Sequence, residues 1–201
     1  MDEGYIKYKI NHLKGLEPLH FWTSKINRVR TQLYDLGLIG ANEEGIGYGN
    51  ISVRLASSGA FIISGAATGG MRELSSTDFS EVLSFDTKTN RVNCMGKVRS
   101  SSESMSHGAI YSTNKAVKSV VHVHHQGMWE YMLRNPYMAT SERAAFGTPE
   151  LADEIRRLVF QHGQSKGIFV LRGHQDGVVA YASLPETALD MLLSVYREQN
   201  G

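Results

Sequence analysis

The sequence predicts a single α+β domain spanning residues 1–201, and three observations carry that expectation. Apolar residues recur at steps of three and four in Leu19, Trp22, Ile26, Val29, Leu33 and Leu36, and again in Leu151, Ile155, Leu158 and Val159, the spacing of amphipathic helices. Ile51, Val53 and Leu55 alternate with polar residues and lead through Ser57-Ser58-Gly59 into Phe61–Ile63, which reads as a hairpin, so at least part of the sheet is antiparallel. A chain of 201 residues without an internal repeat, low-complexity tract or linker is long enough to bury one substantial core.

The elements follow in order. The first helix stops near Gly37, and the hairpin leads into the glycine-rich loop SGAATGG. Ser76-Thr77-Asp78 reads as a helical turn, and VLSFDTKTNRV as a short strand pair reversing near Thr89-Asn90. Ser101 or Ser102 is expected to cap a helix running through Tyr111, with a strand from Val120 to His124 after it. Thr148-Pro149-Glu150 starts a helix, because the cap, the ring-fixed first position and the acidic first turn agree. IFVLRGHQDGVVAYA is two short strands around a polar turn, and Pro185 opens a last helix with Ala188, Met191, Leu192 and Val195 facing inward.

Composition excludes several classes of function. The chain is 41% hydrophobic and 20% charged, with a formal net charge of +1. Its basic residues are scattered, and even Arg28 and Arg30 sit among polar neighbours on the first helix, so nothing argues for nucleic acid or an anionic membrane as partner. One cysteine, Cys94, cannot form an internal disulfide, which fits a reducing compartment. The start, MDEGYIKYKI, lacks a signal-peptide pattern, and no apolar run has the length of a membrane span. The expectation is a soluble, cytoplasmic protein.

The stretch VVHVHHQG places three histidines in an apolar run. Side chains two apart on a strand share a face, with Cβ atoms roughly 6.5–7 Å apart. His122 and His124 can therefore lean toward one ion at about 2.0–2.1 Å, while His125 falls on the other face and Val121 and Val123 bury against helices. Neutral imidazole suits zinc, copper, nickel or iron. A third ligand must come from elsewhere, and His174 in the GHQDG turn is the best-placed candidate. Hydrogen-bonded structural histidines are the competing reading, and the strand by itself leaves both open. His12, His20 and His162 read as surface or helix positions, and His107 lies four residues after Glu103.

Upstream, RSSSESMSH offers the hydroxyls of Ser101 and Ser102 together with backbone N–H groups at a helix start, a natural anion site. Glu103 in the first turn can reach toward a metal and carry a proton there, although serine-glutamate strings also begin many helices for structural reasons alone. Asn50 in GYGNIS, and Thr68 with the backbone of Gly69 in SGAATGG, lie in turns of the kind that cradle phosphate. Together these would place three loops around one anion beside a metal and an acid.

The order GNISVR, FIISGAATGG, SSES with His107 and Tyr111 following, VVHVHH and VLRGHQDG resembles the class II aldolase/adducin family, near its fuculose-phosphate aldolases, from about Gly49 to Tyr196. The resemblance implies a three-layer α/β/α fold around a mostly antiparallel sheet, and a homotetramer with sites at subunit interfaces. It implies a zinc-dependent (Zn2+) lyase that cleaves a ketose phosphate to dihydroxyacetone phosphate and an aldehyde. It also implies His122, His124 and His174 as metal ligands, Glu103 as catalytic acid/base, and Asn50, Thr68, Gly69, Ser101 and Ser102 as the holders of the substrate phosphate. Methylthioribulose-phosphate dehydratases and pentulose-phosphate epimerases share the scaffold, the epimerases with aspartate at the position of Glu103, and an adducin-like interaction module would lack the ligands.

This chain departs from the family pattern in three places. The third histidine sits in Gly173-His174-Gln175-Asp176-Gly177, and the loop after SGA is one residue longer. The segment between the histidine strand and Thr148 is short, so the tyrosines that the family lends to a neighbouring site, from that segment and from a C-terminal tail, have no assigned counterpart. Tyr131 and Tyr137 are the candidates left.

Overall fold

Nine strands build one sheet in the order β1-β7-β6-β5-β4-β8-β11-β10-β9 in the computed structural model, which describes residues 8–15, 20–55 and 59–201. Leu19 of the expected first helix and Ser57-Ser58 of the hairpin turn lie outside the described residues. The strands are β1 (Lys9–Lys14), β4 (Asn50–Arg54), β5 (Phe61–Ser64), β6 (Phe79–Asp86), β7 (Arg91–Gly96), β8 (Ser119–His124), β9 (Met138–Ala139), β10 (Gly167–Val170) and β11 (Gly177–Ala182). A two-residue pair, β2 (Gly40–Ala41) and β3 (Gly47–Tyr48), stands apart. Every neighbouring pair in the large sheet is antiparallel except the edge pairs β1–β7 and β9–β10, so the expected, mostly antiparallel sheet is what forms.

Five helices cover the sheet: α1 (His20–Asp35), α2 (Ser104–Thr113), α3 (Gln126–Arg134), α4 (Pro149–His162) and α5 (Pro185–Glu198). The strand repeat of two assigns them to faces. Val120 belongs to a core with Ala109 and Ile110 of α2 and Leu151 and Ile155 of α4, whereas Val121 and Val123 join Ile26, Val29 and Leu33 of α1, Met128 of α3 and Leu192 of α5. Helices therefore lie on both sides of a buried sheet, the three-layer arrangement that satisfies an apolar stripe on every element. β8 is buried at all six residues because it is central in the order and covered on both faces.

Local chemistry agrees with the sequence at most boundaries. Thr148 accepts a hydrogen bond from the Leu151 N–H at 3.3 Å, Pro149 opens α4, and Gly163 closes it at φ 67°. Ser76–Asp78 is one 3-10 turn, and β6 and β7 form the strand pair with Asn90 at its reversal in a left-handed conformation, φ 50°.

Three expectations need correction. Neither Ser101 nor Ser102 caps α2, which begins at Ser104 and runs to Thr113. Glu103 occupies the cap position without a side-chain cap bond, and the Ser101 hydroxyl instead accepts the Glu103 N–H at 3.2 Å, a local turn that frees the carboxylate to point elsewhere. His12 lies on strand β1 with a ring nitrogen 2.9 Å from the Gly96 carbonyl oxygen, not on an open surface or a helix.

Candidate metal centre and anion pocket

Sheet register builds the centre. β4 and β11 flank β8, with Asn50 opposite His122 on one side and Val179 opposite it on the other. Gly177, the first residue of β11, pairs with His124, so the turn joining β10 to β11 hangs directly over the histidine end of β8. That turn carries His174. Its tightness depends on Asp176, a non-glycine residue held at φ 63°, and on Gly177, where an added Cβ would stand 3.2 Å from His122 Nε2 and 3.0 Å from the His174 carbonyl oxygen.

His122, His124 and His174 converge, with one ring nitrogen of each lying within 4.8 Å of the others. All three are buried, His122 to 1% exposure. Burial, and then the neighbouring His124, His174 and His107, hold the His122 imidazole well below its usual pKa. His124 is pushed down to about 4, mainly by burial and against the opposing pull of Asp176. These rings are therefore neutral at pH 7, the state in which a nitrogen lone pair can bind a metal. Among the described residues neither ring nitrogen of His122 has a hydrogen-bond partner, which a structural histidine so deeply buried would need. The donor set of three buried imidazoles fits a tetrahedral zinc-type ion with one position left for another ligand. His125 lies apart as the N-cap of α3, where Nδ1 accepts the Met128 N–H at 3.1 Å.

Glu103, 2% exposed, faces the same point from α2, with Oε1 3.7 Å from His174 Nδ1 and Oε2 4.0 Å from His122 Nδ1. A pocket opens beside it. Asn50, Thr68, Gly69, Ser101 and Ser102 all line this pocket together with Glu103 and His122. Asn50 Oδ1 is buried there and has no hydrogen-bond partner among the described residues. The Thr68 hydroxyl donates to the Gly65 carbonyl at 2.9 Å. Gly69 must be glycine, because a Cβ there would lie 2.3 Å from the Gly40 carbonyl oxygen. The structure thus brings together every residue singled out as ligand, acid/base or anion holder.

Other contributors were not anticipated. Phe146 lines the pocket, its ring 4.6 Å from that of His174, and nothing in AAFGT marks it out. Tyr8 donates to the Ser101 carbonyl at 2.6 Å from beneath, and burial raises its phenol to about 12. Arg30 grips the Thr68–Arg72 loop from α1. One turn further along α2, buried His107 shares a 2.7 Å hydrogen bond with Ser52 Oγ, which lies 2.7 Å from the Tyr111 hydroxyl. Tyr131 and Tyr137 are not at this pocket: both donate to Glu198 Oε2 on α5, at 3.3 and 2.9 Å.

Solved structures share the fold. L-fuculose-1-phosphate aldolase from Thermus thermophilus superposes with a TM-score of 0.64 at 18% identity, over 89% of this chain and 91% of that one. YgbL from Klebsiella pneumoniae gives 0.65 at 18% identity over 88% and 87%. A sugar-phosphate aldolase from Thermotoga maritima gives 0.57 at 20% identity over 88% and 95%. No curated protein sequence matches at a significant level. The model of the class II aldolase and adducin N-terminal domain matches residues 42–197, and the chain belongs to that family.

Proposed function

We propose that this protein is a zinc-dependent sugar-phosphate lyase that splits a ketose phosphate into dihydroxyacetone phosphate and an aldehyde. The observation that carries the reading is the convergence of three buried imidazoles and one buried carboxylate beside a pocket lined by the hydroxyl-bearing residues Thr68, Ser101 and Ser102. His122, His124 and His174 would hold the metal, which when bound supplies Lewis-acid stabilisation of the negative charge that develops on substrate oxygen.

Asn50, Thr68, Gly69, Ser101 and Ser102 hold the phosphate and so fix the reacting carbons beside Glu103, a contribution of positioning. As the carbon–carbon bond breaks, the hydroxyl on the leaving carbon becomes a carbonyl and its proton is released. Glu103 delivers a proton to the other carbon, so the reaction balances without a further reactant. The Phe146 ring beside His174 shields one wall of the pocket from water.

A glutamate at position 103 supports the lyase over the epimerases of the same scaffold, and the intact ligand set supports an enzyme over an adducin-like module. Among the described residues no helix is long and apolar enough to cross a membrane, which accords with a cytoplasmic enzyme. The family also favours a homotetramer, to be checked by light scattering. Metal analysis of protein purified without chelator or His-tag should find about one zinc per chain. Glu103→Gln should keep that zinc and lose cleavage by about 10²–10⁴-fold. Unchanged cleavage with zinc retained refutes the role of Glu103, and absence of zinc refutes the enzyme. Product analysis on a panel of ketose phosphates separates carbon–carbon cleavage from loss of water.

A further inference from the structure

Arg30 lies on α1, N-terminal to the residues matched by the family model, and it is only 1% exposed. Its guanidinium donates to four carbonyls of a single loop. Nη2 reaches the carbonyl oxygens of Thr68 at 2.7 Å and Gly69 at 2.9 Å, and Nη1 reaches those of Arg72 at 2.9 Å and Met71. This is the loop that forms one wall of the anion pocket.

The geometry has a directional consequence. All described peptide bonds are trans, so a carbonyl pulled toward Arg30 turns the N–H of the same peptide unit the opposite way. Gripping Thr68 and Gly69 by their carbonyls therefore aims the N–H groups of Gly69 and Gly70 away from α1. Gly69 N does face the pocket side: a Cβ on Gly47, itself in the pocket wall, would sit 2.8 Å from it.

Charge is the second argument. Among the described residues no carboxylate lies within ion-pair distance of Arg30, and Asp78 acts on it only at longer range. Burial lowers the guanidinium to about 10, which leaves it protonated at neutral pH. A buried cation that meets peptide carbonyls and the face of the Tyr34 ring, with no carboxylate in contact, is costly unless a counter-charge completes it. A loop staple needs donors; it does not need an unneutralised charge.

We infer that Arg30 is a positioning residue for anion binding, which aims the backbone donors of the Thr68–Gly70 loop at a phosphate group and balances that phosphate's charge from behind the loop. This rests on the proposed reading of the pocket as a phosphate site. It goes beyond it by placing part of the site's recognition in the first helix.

The test titrates inorganic phosphate into zinc-loaded protein by calorimetry, with zinc content measured for each variant. Arg30→Met should weaken phosphate at least tenfold while zinc stays at the wild-type level, and Arg30→Lys, which restores the charge, should return to within about threefold. Arg30→Gln keeps donors to the carbonyls but not the charge, so it should also bind phosphate at least tenfold more weakly. It serves as the deciding variant if Arg30→Met does not fold. A folded Arg30→Met or Arg30→Gln that binds phosphate within twofold of wild type overturns the inference and leaves the pocket reading intact. Wild-type protein that binds zinc but no phosphate overturns both.

Discussion

Acid should unfold this protein through His107 in a measurable and separable way. The imidazole is 1% exposed, and burial pushes its pKa down to about 3 from an ordinary 6.5. The unfolded chain therefore takes up this proton first. Stability is intact above about pH 6.5 and falls as the pH drops toward 3, because protonation favours the unfolded state throughout that window. With one pKa unit equal to about 1.36 kcal/mol, His107 alone costs roughly 2 kcal/mol between pH 7 and pH 5. The perturbation is His107→Leu, which fills the space with an apolar group and leaves Ser52 its hydrogen bond with Tyr111. Urea unfolding of both proteins, metal-free so that the other histidines contribute equally, gives stability against pH. Wild type should lose roughly 1 kcal/mol more than the variant between pH 6 and pH 5. Parallel curves would refute the claim that α2 locks a neutral imidazole into the core.

Three further outcomes are expected. Gly177→Ala puts a methyl group 3.2 Å from His122 Nε2, and zinc affinity measured by competition with a chelator should fall roughly tenfold, as when a group supporting a metal ligand is disturbed. Thr148→Ala removes the side-chain cap of α4 and should cost about 1 kcal/mol in a denaturant titration without altering zinc content. Tyr137→Phe loses its bond to Glu198 on α5, so turnover of a cleaved ketose phosphate should stay within twofold of wild type. A large loss of turnover would return that phenol to the list of site groups.

The fold and the candidate ligands on β8 were legible because their signals are periodic. His122 and His124 stand two apart in a strand, and the cap at Thr148 and the opening proline at Pro185 announce two of the helices that cover the sheet. Sequence could offer His174 as the third candidate from its turn between two strands, and the family resemblance supported it, but its position depends on β11 pairing with β8 rather than on any neighbour in the chain. Strand β1 escaped because KINHLK is an edge strand, four of its six residues exposed, and it is held by backbone pairing with β7 and not by an apolar face. Helix α3 escaped because it is nine residues long, although Met128 and Met132 sit four apart as buried contacts. Arg30 had a signal that passed unread. It falls with Ile26, Val29 and Leu33 on one stripe at the i, i+3, i+4, i+7 spacing, where a charge is out of place unless something buried receives it.

Two of the three imidazoles ride on β8, which is hydrogen-bonded on both edges and enclosed by helices, while the third hangs from a turn. Backbone this well enclosed exchanges its amide hydrogens only when the whole molecule opens. An ion held there would meet two ligands on a rigid strand and a third on a turn, so the freedom to fit its coordination distances lies with the short crossing from Leu171 to Gly177.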